Sequence, residues 1–352
     1  MPRNALVILG AGASAGLAVA GQNLPDAQYT PPLTNEIFNR YAATNHILPK
    51  YPRAEQLANS LRTSLITNED SLEAEMRKFR DEPLTSGSFL EMPLFFQELF
   101  GEISAKYSTS NGCYDRLVLE LLRSDLEKIA FVTLNYDLFL DRALDTAAGT
   151  RTGVFPDISS YVTDNRWMLI KLHGSVSWMR PILSPGDGPG RERDAKRSLL
   201  LSLLDKNPVF SVSGAANLRV TDWDDWFSQN PQGAQPHYPH LAVPVEDKSD
   251  PLCPQQHLDK LHEFLPTCRN VLTIGVSGRD DDLFKNMARL PESANFFVVG
   301  QPLEEAEKAL NNFTRRVPQL HNAQLASTTF GGGFGDFLTD GGLDKFIAAA
   351  RD

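Results

Sequence analysis

Four stretches of this 352-residue chain put chemistry-bearing residues directly after apolar runs. The run "ALVIL", residues 5–9, leads into Gly10-Ala11-Gly12-Ala13-Ser14. Glycines let a backbone approach a phosphate closely, and a following helix N-terminus favours negative charge. The run "IAFVTL", residues 129–134, carries Thr133 and leads into Asn135-Tyr136-Asp137. Asn135 can both donate to and accept from a ligand ribose, and Asp137 can fix that amide or a ribose hydroxyl. The run "WMLIKL", residues 167–172, ends on His173-Gly174. Imidazole is the side chain suited to act as a base near neutral pH, and the glycine leaves room beside it. The run "VLTIG", residues 271–275, leads into Val276-Ser277-Gly278, so Gly275 and Ser277 are candidates to line a phosphate or adenosine pocket.

Each element also has a plainer reading. The glycines can serve only a tight turn and close packing, Asn135 or Asp137 can simply cap a helix, and a lone histidine is commonly structural. Asp280-Asp281-Asp282 fits a helix N-terminus through the macrodipole alone. The glycine loop also departs from G-x-G-x-x-G, because its third glycine, Gly16, is displaced by one. No acidic residue ends a second strand about 20 residues on, as a dinucleotide fold of that type would have it.

The elements that position these residues are strands separated by helical segments. Strands are expected at 5–9, 129–134, 167–172, 271–275, 296–299 and 323–330, with helical spacing after most of them. That alternation predicts an α/β fold, a Rossmann-like doubly wound parallel sheet of about six strands with a large helical insertion. In such sheets ligands bind outside the carboxyl ends of the strands, where all four stretches lie. The core is expected at 1–31, 126–179 and 269–352 of a single domain. A helical block is expected to fill 32–125, with Thr34 and Ser71 as N-caps, and an irregular proline-rich insertion to fill 180–268. Within the latter, "PHYPH" with His237 and His240, near Asp250 and His257, is a weak metal-site candidate beside the plainer reading of a surface loop or lid. Trp223, Trp226 and Phe227 read as a packing cluster.

A net charge of −10 makes direct nucleic-acid binding a poor expectation. Cys113, Cys253 and Cys268 form no CxxC pair, so neither a zinc ribbon nor a disulfide framework is expected, and a reducing cytoplasm fits. No apolar window of about 20 residues predicts a membrane span, and the short run after "MPRN" reads as a strand rather than a signal peptide.

The motifs "GAGAS" (10–14), "TLNYD" (133–137), "KLHGS" (171–175) and "IGVSGRDDDL" (274–283) resemble, in order and rough spacing, the nucleotide-binding elements of the sirtuin fold. The resemblance covers the α/β core, about half of the chain. It departs from protein-deacylating sirtuins in lacking a four-cysteine zinc module and the usual continuation of the first glycine loop. "TLNYD" and "HGSVSW" are closer to the sirtuin-like proteins of bacterial antiphage systems, which hydrolyse NAD. The resemblance implies NAD+ as substrate and no zinc. Asn135 and His173 would be the catalytic pair, and Gly10, Ala11, Gly12, Ser14, Thr133, Asp137, Gly275 and Ser277 would surround the dinucleotide, with Gly10, Gly12 and Ser14 on the pyrophosphate. It also implies a HerA-type ATPase or short Argonaute as partner, and the amphipathic pattern of 32–125 suggests a homo-oligomer or partner docking beside the plainer reading of intramolecular packing. Deacylation of proteins and non-catalytic binding of NAD or ADP-ribose are the alternatives.

Overall fold

The computed structural model describes residues 3–16, 29–38, 42–67, 72–80, 86–107, 112–149, 155–182, 193–205, 218–230, 233–243, 252–320 and 328–350. Its strands are β1 (Asn4–Leu9), β2 (Lys128–Thr133), β3 (Trp167–Lys171), β4 (Gly174–Pro181) and β5 (Arg219–Val220). They continue as β6 (Phe227–Asn230), β7 (Gly233–Leu241), β8 (Cys268–Ile274), β9 (Asn295–Val299) and β10 (Thr328–Phe330).

Six of these form one parallel sheet in the order β10-β9-β8-β1-β2-β3. Numbered along the core alone, that order is 3-2-1-4-5-6 read from the β3 edge, the arrangement of dinucleotide-binding sheets. The chain winds outward from β1 in one direction, then restarts at β8 on the other side, so the switch point lies between β1 and β8. Every residue of β1 is buried, and Ala5, Val7, Ile8 and Leu9 are fully so. A central strand covered on both faces has no polar side to show, which is why it reads as an uninterrupted apolar run. Each such Val, Ile or Leu contributes roughly 1.5–3 kcal/mol by leaving water. The expected parallel sheet is thus present, and its last strand is confined to Thr328–Phe330 within the described residues.

The described residues of 180–268, expected to be irregular, fall mostly into regular elements. The strands β4 to β7 form a second, antiparallel sheet in the order β5-β4-β7-β6, accompanied by helices Arg193–Leu204 and Gln255–Phe264. Proline argues against a central strand in the sequence, because it cannot donate a ladder bond. Here Pro236 and Pro239 both lie on β7, which is central, and Pro239 faces Met179 where the β4–β7 register shifts. Buried His237 and His240 are three residues apart on a strand, so their side chains leave opposite faces. His240 Nε2 meets Leu252 O at 2.8 Å, His257 Nε2 meets Ile158 O at 2.7 Å, and Asp250 lies outside the described residues. They do not converge on a metal site.

The helical block packs inward. Its helix Ser86–Lys106 lies against both β4 and β7. Gln97 Nε2 donates to Val176 O at 2.9 Å, and Trp226 Nε1 donates to Gln97 Oε1 at 2.7 Å. Glu98, fully buried, accepts from Lys50 at 2.7 Å, Tyr51 at 2.6 Å and Arg197 at 2.9 Å. Burial alone would raise the Glu98 carboxyl; the hydrogen bonds from Lys50 and Tyr51 and the charges of Arg193 and Arg197 outweigh it and hold it low. Gly101 makes room for Trp223, whose ring would lie 2.3 Å from a Cβ there. Trp226 and Phe227 are buried, so the aromatic cluster is packing, as expected. Thr34 opens a 3-10 turn whose capping position is Leu33 rather than Thr34, and Ser71 lies outside the described residues.

Candidate functional site

Strand register sets the site. Leu9 pairs with Thr133 and Ile274, and Thr133 pairs with Lys171. Ala11, Asn135, His173 and Val276 therefore each stand two residues past a paired level, on four adjacent strands about 4.8 Å apart. The four sequence motifs meet at one carboxyl-terminal edge of the sheet, flanking the switch point.

Asn135 is the centre of a buried network. Its Nδ2 donates to Gly10 O at 2.9 Å and to Ser14 Oγ at 3.0 Å, and its backbone N–H donates to Thr133 Oγ1 at 3.1 Å. Ser14 Oγ donates to Asp137 Oδ2 at 2.7 Å, and Tyr114 OH lies 3.0 Å from it. Those bonds orient the carboxamide, and among the described residues none donates to its Oδ1. That oxygen is the atom with which Asn135 can accept from a ligand hydroxyl or a water. Ser14, expected at a pyrophosphate, has its hydroxyl engaged within the protein and is 3% exposed. Its role is to hold Asn135.

Asp137 supports the same turn. Its Oδ1 accepts from Phe139 N–H at 3.3 Å, ahead of the helix Phe139–Ala148 whose capping position is Leu138. Burial raises its carboxyl, opposed by the Lys171 charge and the Ser14 hydrogen bond. Lys171, fully buried at the end of β3, donates to Asp137 O at 2.6 Å and to Asp141 Oδ2 at 2.7 Å. Tyr161 OH completes the set by donating to Asp141 Oδ1 at 3.0 Å. One ammonium thus ties β3 to the turn that follows β2, and so fixes the level of Asn135 against that of His173.

The glycines act on one another. Gly10 N–H donates to Ile274 O at 3.1 Å and Gly12 N–H donates to Gly275 O at 3.1 Å. Gly275 has φ +63°, and a Cβ on it would lie 2.2 Å from Ala13 N. A Cβ on Gly12 would lie 2.8 Å from Gly275 Cα. The Gly10 and Gly12 amides, expected at a phosphate, both donate to backbone carbonyls of the strand and loop beside them. Small size here locks the loops after β1 and β8 together at the switch point. Ala11 is half-buried beside them, and Ser277 is exposed, its carbonyl accepting from Asn312 Nδ2 at 2.8 Å. Gly174 has φ +78°, and a Cβ on it would lie 2.2 Å from His240 O, so its small size makes room for β7.

His173 stands where β3 passes into β4, its side chain 14% exposed. Its ring packs near Tyr136, with centroids 6.4 Å apart. Tyr136 in turn stacks on Phe96 of the helical block. Nε2 lies 2.8 Å from Asp280 Oδ2, at hydrogen-bond distance but outside hydrogen-bond alignment. The other carboxylate oxygen of Asp280 accepts from Leu283 N–H at 2.7 Å and caps the helix Asp281–Met287. Donor atoms of His173, Asp280 and Asp282 lie within 4.8 Å of one another and are the set that could hold a cation among the described residues.

Tyr114, Lys171 and Asp280 carry this geometry without having been singled out for it. Tyr114 comes from the helical block, and nothing in the sequence ties it to a turn 20 residues later. Lys171 had one signal, a cation closing an apolar run. Asp280 was legible as a helix N-terminal residue but not as a neighbour of His173, since more than 100 residues separate them.

The three cysteines are buried, and burial pushes the thiols of Cys113 and Cys268 up to about 11 and about 12 and that of Cys253 up further. Among the described residues no helix is long and apolar enough to cross a membrane.

No protein-family model matches the chain, and no curated protein is similar to it. Several solved structures of Sir2 proteins align with it. A Sir2 homologue mutant in complex with 2′-O-acetyl ADP ribose has a TM-score of 0.43 at 13% identity, over 99% of this chain and 92% of that one. A Sir2 homologue in complex with NAD has a TM-score of 0.39 at 12% identity, over 99% and 89%. A Sir2 protein bound to a propionylated peptide has a TM-score of 0.41 at 12% identity, over 98% and 94%. Similarity at this level leaves function to be argued from the residues.

Proposed function

We propose that this chain is a sirtuin-like NAD+ glycohydrolase, which cleaves the bond between nicotinamide and ribose. The observation that carries the reading is the placement of Asn135 and His173 two residues past the paired Thr133 and Lys171, at the end of a sheet with dinucleotide-binding strand order, with the Asn135 amide nitrogen anchored and, among the described residues, nothing donating to its oxygen. Binding alone does not require a residue with base chemistry held beside a carboxylate.

The reaction passes through an oxocarbenium-like ribose, as in glycoside hydrolysis. Asn135 Oδ1 would accept from a water or a ribose hydroxyl and so orient it. His173 would take the proton as water adds to C1′, directly or through a ribose hydroxyl. The electron pair of the broken bond leaves with nicotinamide and neutralises its ring. Gly275, Ser277 and Ala11 would border the dinucleotide. NAD loss of this kind suits antiphage defence by depletion, held in check until a partner or self-assembly releases it.

The same base could serve a deacylase, so one assay separates the two. The chain is incubated with NAD+ with and without an acetyl-lysine peptide, and the products are resolved by chromatography. Hydrolysis yields nicotinamide and ADP-ribose without peptide. Nicotinamide that forms only with peptide, alongside O-acetyl-ADP-ribose, overturns hydrolysis in favour of deacylation.

A further inference from the structure

Resting on that reading, we propose that Asp280 is the positioning residue for His173, fixing which ring nitrogen carries the proton. The carboxylate is held from both sides. Oδ1 caps the helix Asp281–Met287 through Leu283 N–H at 2.7 Å, which aims Oδ2 back at His173 Nε2, 2.8 Å away. The loop that carries Asp280 is anchored as well: Gly275 interlocks with Gly12, Ser277 O accepts from Asn312, and Arg316 pairs with Asp281. Nε2 has no hydrogen-bond partner among the described residues, so a small rotation of the imidazole is all that alignment with Oδ2 requires. A carboxylate accepts only, so the aligned ring carries its proton on Nε2 and leaves Nδ1 as the base. When water adds to C1′, one water O–H bond breaks, the C1′–O bond forms, and the proton goes to Nδ1. Asp280 stabilises the imidazolium until that proton passes to solvent, and is itself unchanged. The charged group beside it on the same cluster is Asp282, and the neighbouring ring is Tyr136.

Capping is the competing role, and the choice of substitution separates the two. Asn and Ser both cap helices nearly as well as Asp. In Asp280→Asn the carboxamide oxygen keeps Leu283 N–H, which turns the NH2 towards Nε2 and forces the proton onto Nδ1. In Asp280→Ser the cap remains and the reach to His173 is lost. Nicotinamide release is measured for both, with melting temperature, kcat and KM for NAD+, and with the His173 tautomer read by 15N NMR. Expected are melting temperatures close to that of the unsubstituted chain, KM within about twofold, kcat lower by on the order of 10²-fold, and the Nδ1–H tautomer in Asp280→Asn. Unchanged kcat and tautomer in both variants, with His173→Ala inactive, overturn the positioning role and leave the hydrolase reading standing. An active His173→Ala variant overturns the role of His173 as base, and with it the positioning role. Loss of turnover on chelation with EDTA, restored by a divalent cation, overturns the positioning role by assigning His173, Asp280 and Asp282 to a metal. Nicotinamide that forms from the unsubstituted chain only with an acetyl-lysine peptide overturns the hydrolase reading itself.

Discussion

Glu98 and Asn135 are both polar side chains enclosed by the fold, yet their surroundings are closed to different degrees. Glu98 lies on the helix Ser86–Lys106 of the helical block with Lys50, Tyr51, Arg193 and Arg197 around both oxygens, and its side chain is fully buried. Asn135 is 8% exposed, and its nitrogen is engaged by Gly10 O and Ser14 Oγ while, among the described residues, nothing donates to its oxygen. A satisfied buried ion cluster holds elements in place and offers nothing to a ligand. A network satisfied on all but one acceptor is rigid and still able to bind. The difference separates residues that build this molecule from residues that use it.

Substitutions in the two regions should therefore divide between stability and turnover. The largest effect is expected at neither network but at the lock between them and the sheet. Gly275→Ala needs a Cβ 2.2 Å from Ala13 N at φ +63°, and should lower unfolding free energy by roughly 3 kcal/mol or more, leaving little folded protein in a denaturant titration. Glu98→Ala strips the partner from buried Arg197 and should cost roughly 3–5 kcal/mol. Its turnover per folded molecule should stay that of the unsubstituted chain. A change in KM for NAD+ would mean that the Glu98 cluster is coupled to the site. Ser14→Ala removes one donor to Asp137 and one acceptor from Asn135, for about 1–3 kcal/mol. It should also reduce nicotinamide release, because Asn135 loses half of its anchor; full activity would sever that network from function.

The smallest effect tests the second sheet. Burial lowers His237 and His257 to about 4, so both are neutral in the folded protein. An unfolded histidine protonates near pH 6.5, so their stabilisation is present above that pH and is lost as pH falls from about 6.5 towards 4. The melting temperature should fall across that window. His257→Gln should flatten the fall, and an unchanged slope would show that His257 does not titrate on unfolding.

How much of this was legible depended on sequence distance. The parallel strands were readable because burial on both faces leaves almost no polar residue in them, as in the run 5–9. The residues at the strand ends were readable for the same reason, since chemistry follows each run directly. β7 was not, because two prolines and two histidines hide a central strand whose ladder tolerates a register shift. Nor were the partners readable: Tyr114 reaches Ser14, and Asp280 reaches His173, only after the chain has folded. Nor does the sequence show that a Cβ at Gly10, Gly12 or Gly174 would meet this chain's own backbone, since Gly275 and His240 lie far along the chain from them.

The central claim is that Asn135 acts on NAD+ and does not merely complete a turn. Nicotinamide release from NAD+ by Asn135→Ala, compared with the unsubstituted chain at equal folded fraction by melting curve, tests it most directly. The account predicts a loss on the order of 10²-fold or more with the fold retained. Release at the unsubstituted rate from the folded variant would contradict it.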